Sequence, residues 1–416
     1  MAEQPPMSPA VPKPDHVPDA VVYDFDLHKD PDLMEDAHAR ILQLVREAPP
    51  VFWTPRNGGH WMIQGHAEVM KASKDWDTFT SEFISMDQLR QMNASLPEGA
   101  PKIYVATPIN LDPPLHSEYR QPLLRPFAPK TINALKDDIR SLASDLIGAV
   151  KDTGRCEFMR DIAEPLPVQV FLKMFGLPLE RQREYRDLVD EHMRDADSSS
   201  EGVMRRTQRV AAIMEDTILE RRDNPRDDLI SMLWETEVEG REPTLYDIQN
   251  YCVLLFIAGL DTVMNGMGHN VRHLAMNLDL QRDLRDDPSL IKDAVEEMLR
   301  RYTFTVPPRL VKADCEFEGV TMKAGERAML FLPSADLDAR EFKAPEAYDL
   351  ARESLVHIAF GAGPHRCLGS HLARVELNIL TEELMKALPE FRLDDTKPIR
   401  FHGGHVIGPD ELHLVW

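Results

Sequence analysis

Four short stretches of this 416-residue chain carry residue types whose spacing could do chemistry. The first is Phe360-Gly361-Ala362-Gly363-Pro364-His365-Arg366-Cys367-Leu368-Gly369. Glycines on both sides of Cys367 permit unusual backbone angles and the close approach of a flat ligand. The cysteine stands just before the helical pattern HLARVELNILTEELMKAL, and a helix N-terminus stabilises negative charge and lowers a thiol pKa. A thiolate so placed is a nucleophile or a metal ligand. The second stretch is Glu297-Met298-Leu299-Arg300, where acid and guanidinium share one helical face. The third, Ala258-Gly259-Leu260-Asp261-Thr262, puts an acid and a hydroxyl in the middle of an apolar run. Burying them is costly unless they are satisfied, and an acid–alcohol pair can deliver protons. The fourth is Asp112-Pro113-Pro114-Leu115-His116-Ser117-Glu118-Tyr119-Arg120, in which prolines start a helix and His116 and Arg120 fall one turn apart. Two cationic groups together suit a carboxylate or phosphate.

The elements that must position these residues are mostly helices. Residues 32–48 read as an amphipathic helix, and 51–64 as a hairpin turning at Asn57-Gly58-Gly59. Residues 84–108 read as a long loop of the kind that usually serves function. From 131 to 300 the pattern is overwhelmingly helical. Over 132–150, Ile132, Leu135, Ile139, Leu142, Leu146 and Val150 recur at three- and four-residue steps. Residues 203–222 and 244–280 continue the theme, with Thr244 and Asp247 as an N-cap pair. The last of these segments is apolar on all sides at its centre, which predicts a helix running through a core. Residues 309–332 switch to short strands around a glycine turn, 333–357 read as structureless, and a helix follows from 370. The fold class is mainly α with a minor β portion, in one domain over 21–416.

Charge and composition exclude several functions. The 48 Lys and Arg against 70 Asp and Glu give a net charge of −22, which repels nucleic acid and anionic membrane surfaces. Four scattered cysteines make neither a disulfide framework nor a zinc site. Residues 1–20, rich in proline, show no secretory pattern and are expected to form an extended, flexible arm. The longest apolar run, 251–260, is half of a membrane crossing, so a cytoplasmic protein is expected.

Taken together, the four motifs resemble the cytochrome P-450 superfamily of heme-thiolate monooxygenases, from about residue 30 to 416. The segments LLFIAGLDTV, EEMLRRYTF, FGAGPHRCLGSHLAR and the terminal HLVW look most like the bacterial camphor 5-monooxygenase group. The resemblance implies a single-domain triangular prism holding heme b (iron protoporphyrin IX) between the long central helix and the cysteine-loop helix. Cys367 is then the iron ligand, within F-G-x-G-x-H-x-C-x-G, with Phe360 and Gly361 against the cofactor. A thiolate ligand favours O–O cleavage. Glu297 and Arg300 match the E-x-x-R that supports the cysteine loop. Asp261 would relay protons from solvent and Thr262 would make their delivery productive. His116, Arg120, Arg309 and His365 match positions that bind heme propionates. Tyr104, Leu254, Ile257, Phe304, Thr305, Val306 and Val406 would face the substrate, with Tyr104 matching a tyrosine that hydrogen-bonds a ketone.

By the same resemblance the substrate is a compact hydrophobe, a terpenoid or norisoprenoid. Electrons would come from a [2Fe–2S] ferredoxin and an NADH-dependent reductase, docking on Arg120, Arg125, Lys130 and Arg366. A monomer using O2 is expected. Two departures stand out. Ala347 occupies the place of an arginine that often completes the E-x-x-R pair, leaving Arg352 or another group to serve. Pro307 stands where relatives carry an aspartate near the propionates.

Overall fold

A computed structural model describes residues 6–194 and 200–416. The chain forms two compact units interleaved in sequence. One comprises the described residues up to Thr80 with Lys136–Ala163 and Met264–Trp416, and the other Ser81–Leu135 with Glu164–Val263.

The first unit holds a five-stranded sheet. Its strands are β1 (Val51–Thr54), β2 (His60–Ile63), β3 (Phe79–Thr80), β4 (Pro308–Val311) and β5 (Arg327–Leu330), in the order β1-β2-β5-β4-β3. Only β2 and β5 run parallel. The hairpin β1–β2 turns through Asn57, Gly58 and Gly59, all at positive φ, as the sequence predicts. Side chains alternate across the sheet because the strand period is two. Val51, Trp53, Trp61, Ile63, Ala328 and Leu330 enter one core. Phe52, Met62 and Met329 enter another, with Phe25, Leu33 and Ile41. Both faces are buried, so these strands read as apolar runs rather than as alternating ones.

Helices complete this unit. α1 (Lys136–Val150) packs along α4 (Ser370–Ala387), burying Ile139, Ala143 and Ile147. α3 (Ile291–Arg301) carries the Glu297–Arg300 turn against α4. The expected helix over 32–48 is two helices, Pro31–Glu35 and Ala37–Glu47. Asp36 interrupts in an extended conformation, its carboxylate accepting from the His38 and Ala39 N–H groups.

The N-terminal arm departs from expectation. From residue 6 onward it is tied down: Val11 N–H donates to Pro55 O, Asn57 N–H to Ser8 Oγ, and Val17 is buried in the sheet core. Residues 1–5 lie outside the described residues.

The second unit is helical. α2 (Leu245–Met276) begins in it and passes at Met264 into the first unit. Its start is capped as predicted. Asp247 Oδ2 accepts from the Thr244 N–H at 2.8 Å and from its hydroxyl at 2.6 Å. Among the described residues it is the one helix long and apolar enough to cross a membrane, and 67% of its most apolar window is buried inside the protein.

The loop expected over 84–108 contains a helix, Met86–Ala94, opened by a Ser85–Gln88 capping box. From its end, Asn93 bonds Ile103 O and N–H and the Tyr246 hydroxyl, while Asn250 receives the Val105 N–H. The segment through Tyr104 is therefore fastened to the first turns of α2.

Candidate active site

In the first unit, the cysteine loop leaves the E-x-x-R region and ends at α4. Gly361 and Gly363 have φ of 71° and 66°, where a β-carbon is strained. At Gly363 a β-carbon would also meet Ser73 O at 2.3 Å, so the loop presses against the helix His66–Lys74 as only glycine allows. Cys367 N–H donates to Phe360 O at 2.8 Å, closing the loop, and Cys367 itself is exposed three residues before α4 begins.

Beneath the loop lies a network with no exposed charge. Glu297 and Arg300 are both fully buried. Arg300 Nε and Nη2 donate to the two Glu297 oxygens at 2.8 Å each. Its other N–H groups donate to Asp336 O (2.7 Å), Pro345 O (2.9 Å) and Ala347 O (3.1 Å). All five guanidinium donors are used. The arginine absent at Ala347 is supplied by Arg352, whose Nε lies 3.2 and 3.3 Å from the Glu297 oxygens and whose Nη2 also donates to Ala347 O. Pro307 offers only its carbonyl, which accepts from Leu330 N–H.

Sequence reasoning missed four residues here. Asp336 is the hub: its carbonyl takes Arg300, its Oδ2 the Thr303 hydroxyl (2.7 Å), and its Oδ1 the Ile358 N–H (2.9 Å) where the cysteine loop begins. Burial pushes its carboxyl pKa up. A parallel cluster joins Glu296 to His357 and Arg374, whose guanidinium lies 4.4 Å from the centre of the Phe360 ring. Burial opposes ionisation of Glu296, but hydrogen bonds from His357 and Arg374 win and hold it at about 2. The doubled acid of Glu296-Glu297 was the only signal for this second cluster.

Of the expected substrate contacts of this unit, Val306 departs from expectation: it is fully buried in the core with Phe25 and Phe52, facing no open space. Thr305 and Val406 form a β-bridge, Val306 N–H donates to His405 O, and Ile407 N–H to Phe304 O. Arg309 is buried on β4, and His365 lies in a helical turn of the cysteine loop.

In the second unit, Asp261 is 3% exposed and its Oδ1 lies 3.2 Å from Arg186 Nη2. Arg186, itself 2% exposed, donates further to Leu260 O (2.8 Å) and Asp190 (2.7 Å), and its Nε stands 3.4 Å from Glu164. This arginine, 75 residues away in sequence, carried no signal in the motif it serves. Thr262 Oγ1 bonds back to Ala258 O at 3.0 Å, as a threonine in a helix can, but α2 continues without a break. Gly259 is required by packing, since a β-carbon there would meet the Phe171 ring at 2.6 Å.

Midway along this largely buried helix, Leu254, Ile257, Ala258, Gly259, Thr262 and Val263 remain partly or fully uncovered. Tyr104 donates its hydroxyl proton to Gln249 Oε1 at 3.0 Å, and burial pushes its pKa up to about 12. His116 is buried one turn before Arg120 on the helix Leu115–Arg120, which is held by the Tyr119–Glu239 and Tyr251–Tyr119 hydrogen bonds.

A mainly helical chain with small sheets, an exposed cysteine on a glycine loop and a buried acid beside an uncovered alcohol defines one class of protein. Comparison with known proteins gives its family. A cytochrome P450 family model matches residues 168–410. A probable cytochrome P450 127A1 of Sinorhizobium fredii is 34% identical, covering 97% of both chains. A steroid C26-monooxygenase of Mycobacterium tuberculosis is 35% identical over 74% of this chain and 85% of its own. The crystal structure of CYP101J2 matches with a TM-score of 0.85 at 32% identity, covering 98% of this chain and 99% of that one. This chain belongs to the cytochrome P450 family and is a monooxygenase whose cofactor is heme b. The residues present fit that group: a soft sulfur donor, Cys367, stands exposed on a glycine loop just before a helix.

Proposed function

We propose that this monooxygenase hydroxylates a compact hydrophobic substrate, a terpenoid or norisoprenoid, with electrons from a [2Fe–2S] ferredoxin. The observation that carries the substrate class is the uncovered stripe Leu254, Ile257 and Ala258, apolar except for the Thr262 hydroxyl one turn on. Residues 21–416 act as one heme-binding domain.

Each residue has a task. Cys367 holds the iron as thiolate, with Phe360 and Gly361 against the cofactor and Glu297, Arg300 and Arg352 keeping the loop in place. His116, Arg120, Arg309 and His365 supply hydrogen-bond donors for the two propionates. When bound through a thiolate, heme supplies the chemistry that splits O2 and inserts one oxygen atom into a C–H bond, the other leaving as water. Asp261 carries protons inward as Arg186 exchanges it for Asp190 or Glu164. Thr262 holds the proton at its Oγ1, releasing its bond to Ala258 O to do so. Phe304, Thr305 and Val406 would shape the substrate's contacts from the other unit's strand segment, with Val306 packed behind them in the core. Tyr104 would donate to a substrate ketone by giving up Gln249, so its contribution is the difference between two hydrogen bonds rather than a whole one.

Ferredoxin docking is assigned to Arg120, Arg125, Lys130 and Arg366, cations in a chain of net charge −22. Electron transfer should then fall steeply with added salt. A soluble, cytoplasmic bacterial enzyme is consistent with this reading.

The test is spectroscopic. The reduced carbonyl complex of the wild type should show thiolate ligation, and Cys367→Ser should abolish it. A panel of terpenoids, norisoprenoids and steroids should then be screened for the low- to high-spin shift of the Soret band, with product identification. Histidine-type ligation in the wild type overturns the Cys367 assignment. A response to steroids alone overturns the substrate class.

A further inference from the structure

Thr305 and Val406 are joined by a β-bridge, and the residues that follow them, Val306 and Ile407, are buried together in the core with Phe25. Alternation along an extended chain turns Thr305 and Val406 the other way. Their direction is therefore set by whatever holds the backbone of these two segments.

The segment after Val406 is held by α2, through residues of the same unit. Gly408 lies so close to this helix that a β-carbon there would overlap Asn265 Oδ1. One turn further along α2, His269 Nε2 stands 2.8 Å from Ile407 O. A carbonyl only accepts, so the ring proton is on Nε2. Burial lowers the His269 pKa to about 4, which keeps the ring neutral and leaves its Nδ1 as an acceptor. His38 Nε2 donates to that atom at 3.3 Å. His38 is itself buried, and burial holds its pKa well below the usual imidazole range. Stacking on Phe304, with ring centres 5.4 Å apart, fixes the His269 plane as well. The corresponding contact on the other segment, His405 Nδ1 at 3.0 Å from Val306 O, comes from an exposed side chain for which water competes. The buried cap is His269.

We propose that His269, oriented by His38, is a positioning residue for substrate selectivity: its Nε2–H holds the Ile407 carbonyl and thereby the direction in which Val406 and its bridge partner Thr305 face. This rests on the reading above that Thr305 and Val406 contact the substrate. A histidine that only filled the core would not need its proton on one particular nitrogen. The distinction is chemical: a glutamine amide can place an N–H where Nε2 stands, whereas an asparagine amide reaches only to the place of Nδ1.

The experiment measures, on the heme-loaded enzyme, the affinities of 1-phenylimidazole and 4-phenylimidazole from their Soret shifts, with imidazole as control. The two phenyl isomers hold the ring in different directions and so report the shape of the wall, while imidazole is too small to reach it. His269→Asn should change the ratio of the two phenylimidazole affinities by about fivefold, the equivalent of one lost hydrogen bond, and leave imidazole binding unaltered. His269→Gln should restore the wild-type ratio. Gly408→Ala, which displaces the same peptide from the Asn265 side with both histidines intact, should also shift the ratio, and serves if His269→Asn does not accumulate. An unchanged ratio in folded His269→Asn overturns the assignment, as do equal shifts in the Asn and Gln variants or an equal loss of imidazole affinity. Val406→Ala separates the two readings. If it moves the ratio and His269→Asn does not, only the role of His269 falls; if it leaves the ratio unchanged, the substrate-facing assignment of Val406 falls with it.

Discussion

Two buried arginines, Arg300 and Arg186, face the same problem and solve it differently. A guanidinium taken out of water must be paired and hydrogen-bonded. Arg300 has one carboxylate gripped by two donors and three carbonyls filling the rest. Arg186 spreads over three carboxylates and one carbonyl, and its Nε makes no hydrogen bond at all. The first arrangement has one low-energy state and fixes what it touches, the segment leading to Cys367. The second has several states of similar energy, because Asp261 is only one of its partners. A thiolate ligand needs a fixed base, whereas a proton carrier needs a partner that can let go.

Lysine at each position breaks the comparison directly. A lysine has three donors and no planar fork. Arg300→Lys should orphan buried carbonyls and one Glu297 oxygen, destabilising by on the order of 3–5 kcal/mol with loss of heme. Arg186→Lys should cost about 1 kcal/mol, since one ammonium can still serve one or two of its acceptors. Urea unfolding and heme content of the two variants measure both. Equal losses would mean that Arg186 is as locked as Arg300.

Much of this contrast was legible in the sequence and some was not. Cys367, Glu297, Arg300, Asp261 and Thr262 stand in short motifs, because each motif is a local spacing on one helix or loop. Asp336 and Arg186 act through contacts 36 and 75 residues distant, and no local pattern records such pairing. Arg352 was one of the groups open for the place left by Ala347, and five residues of turn bring it there. The two helices at 31–47 were read as one because Asp36 fits an amphipathic pattern as well as it fits a cap. The helix at Met86–Ala94 was missed although its Ser85–Gln88 box was present, since polar residues around it matched a loop equally well.

Glu376 sharpens the comparison as a buried ionisable group with no partner, which stays neutral instead. On α4 it is 1% exposed, both carboxyl oxygens lack hydrogen bonds, and burial pushes its pKa up to about 8. Between roughly pH 4.3 and 8 the folded state keeps a proton that the unfolded state has lost, so stability falls as pH rises through this window. Glu376→Gln should remove that decline, making the variant more stable than wild type at pH 8 by on the order of 2–4 kcal/mol. Parallel stability profiles of the two proteins across pH would show instead that Glu376 is ionised and paired.

Tyr104→Phe tests the hold of the second unit on its own loop. Its hydroxyl bonds buried Gln249, which also donates to Glu215 at 3.0 Å. Loss of that bond should cost about 1 kcal/mol of stability. A ketone substrate's spin-state titration should weaken by no more than a comparable factor, because the wild type must break the Gln249 bond to donate. An unaltered titration alongside the stability loss would make Tyr104 a tether for the loop and nothing more.

The smallest effect on folding, and the most telling on chemistry, is expected at Thr262. Its hydroxyl bonds only the carbonyl one turn back, which already serves the helix. Thr262→Ala should therefore change stability by less than about 0.5 kcal/mol, with melting and heme content as in wild type. Oxygen and NADH consumption should persist while product per NADH drops several-fold and peroxide accumulates. That separation between an unperturbed fold and a failed delivery is what a movable proton site predicts, because the hydroxyl is poised for transfer rather than built into the core. If coupling to product stayed at the wild-type level, protons would be arriving by a route that bypasses Thr262, and the loose partnership of Arg186 with Asp261 would lose its chemical purpose.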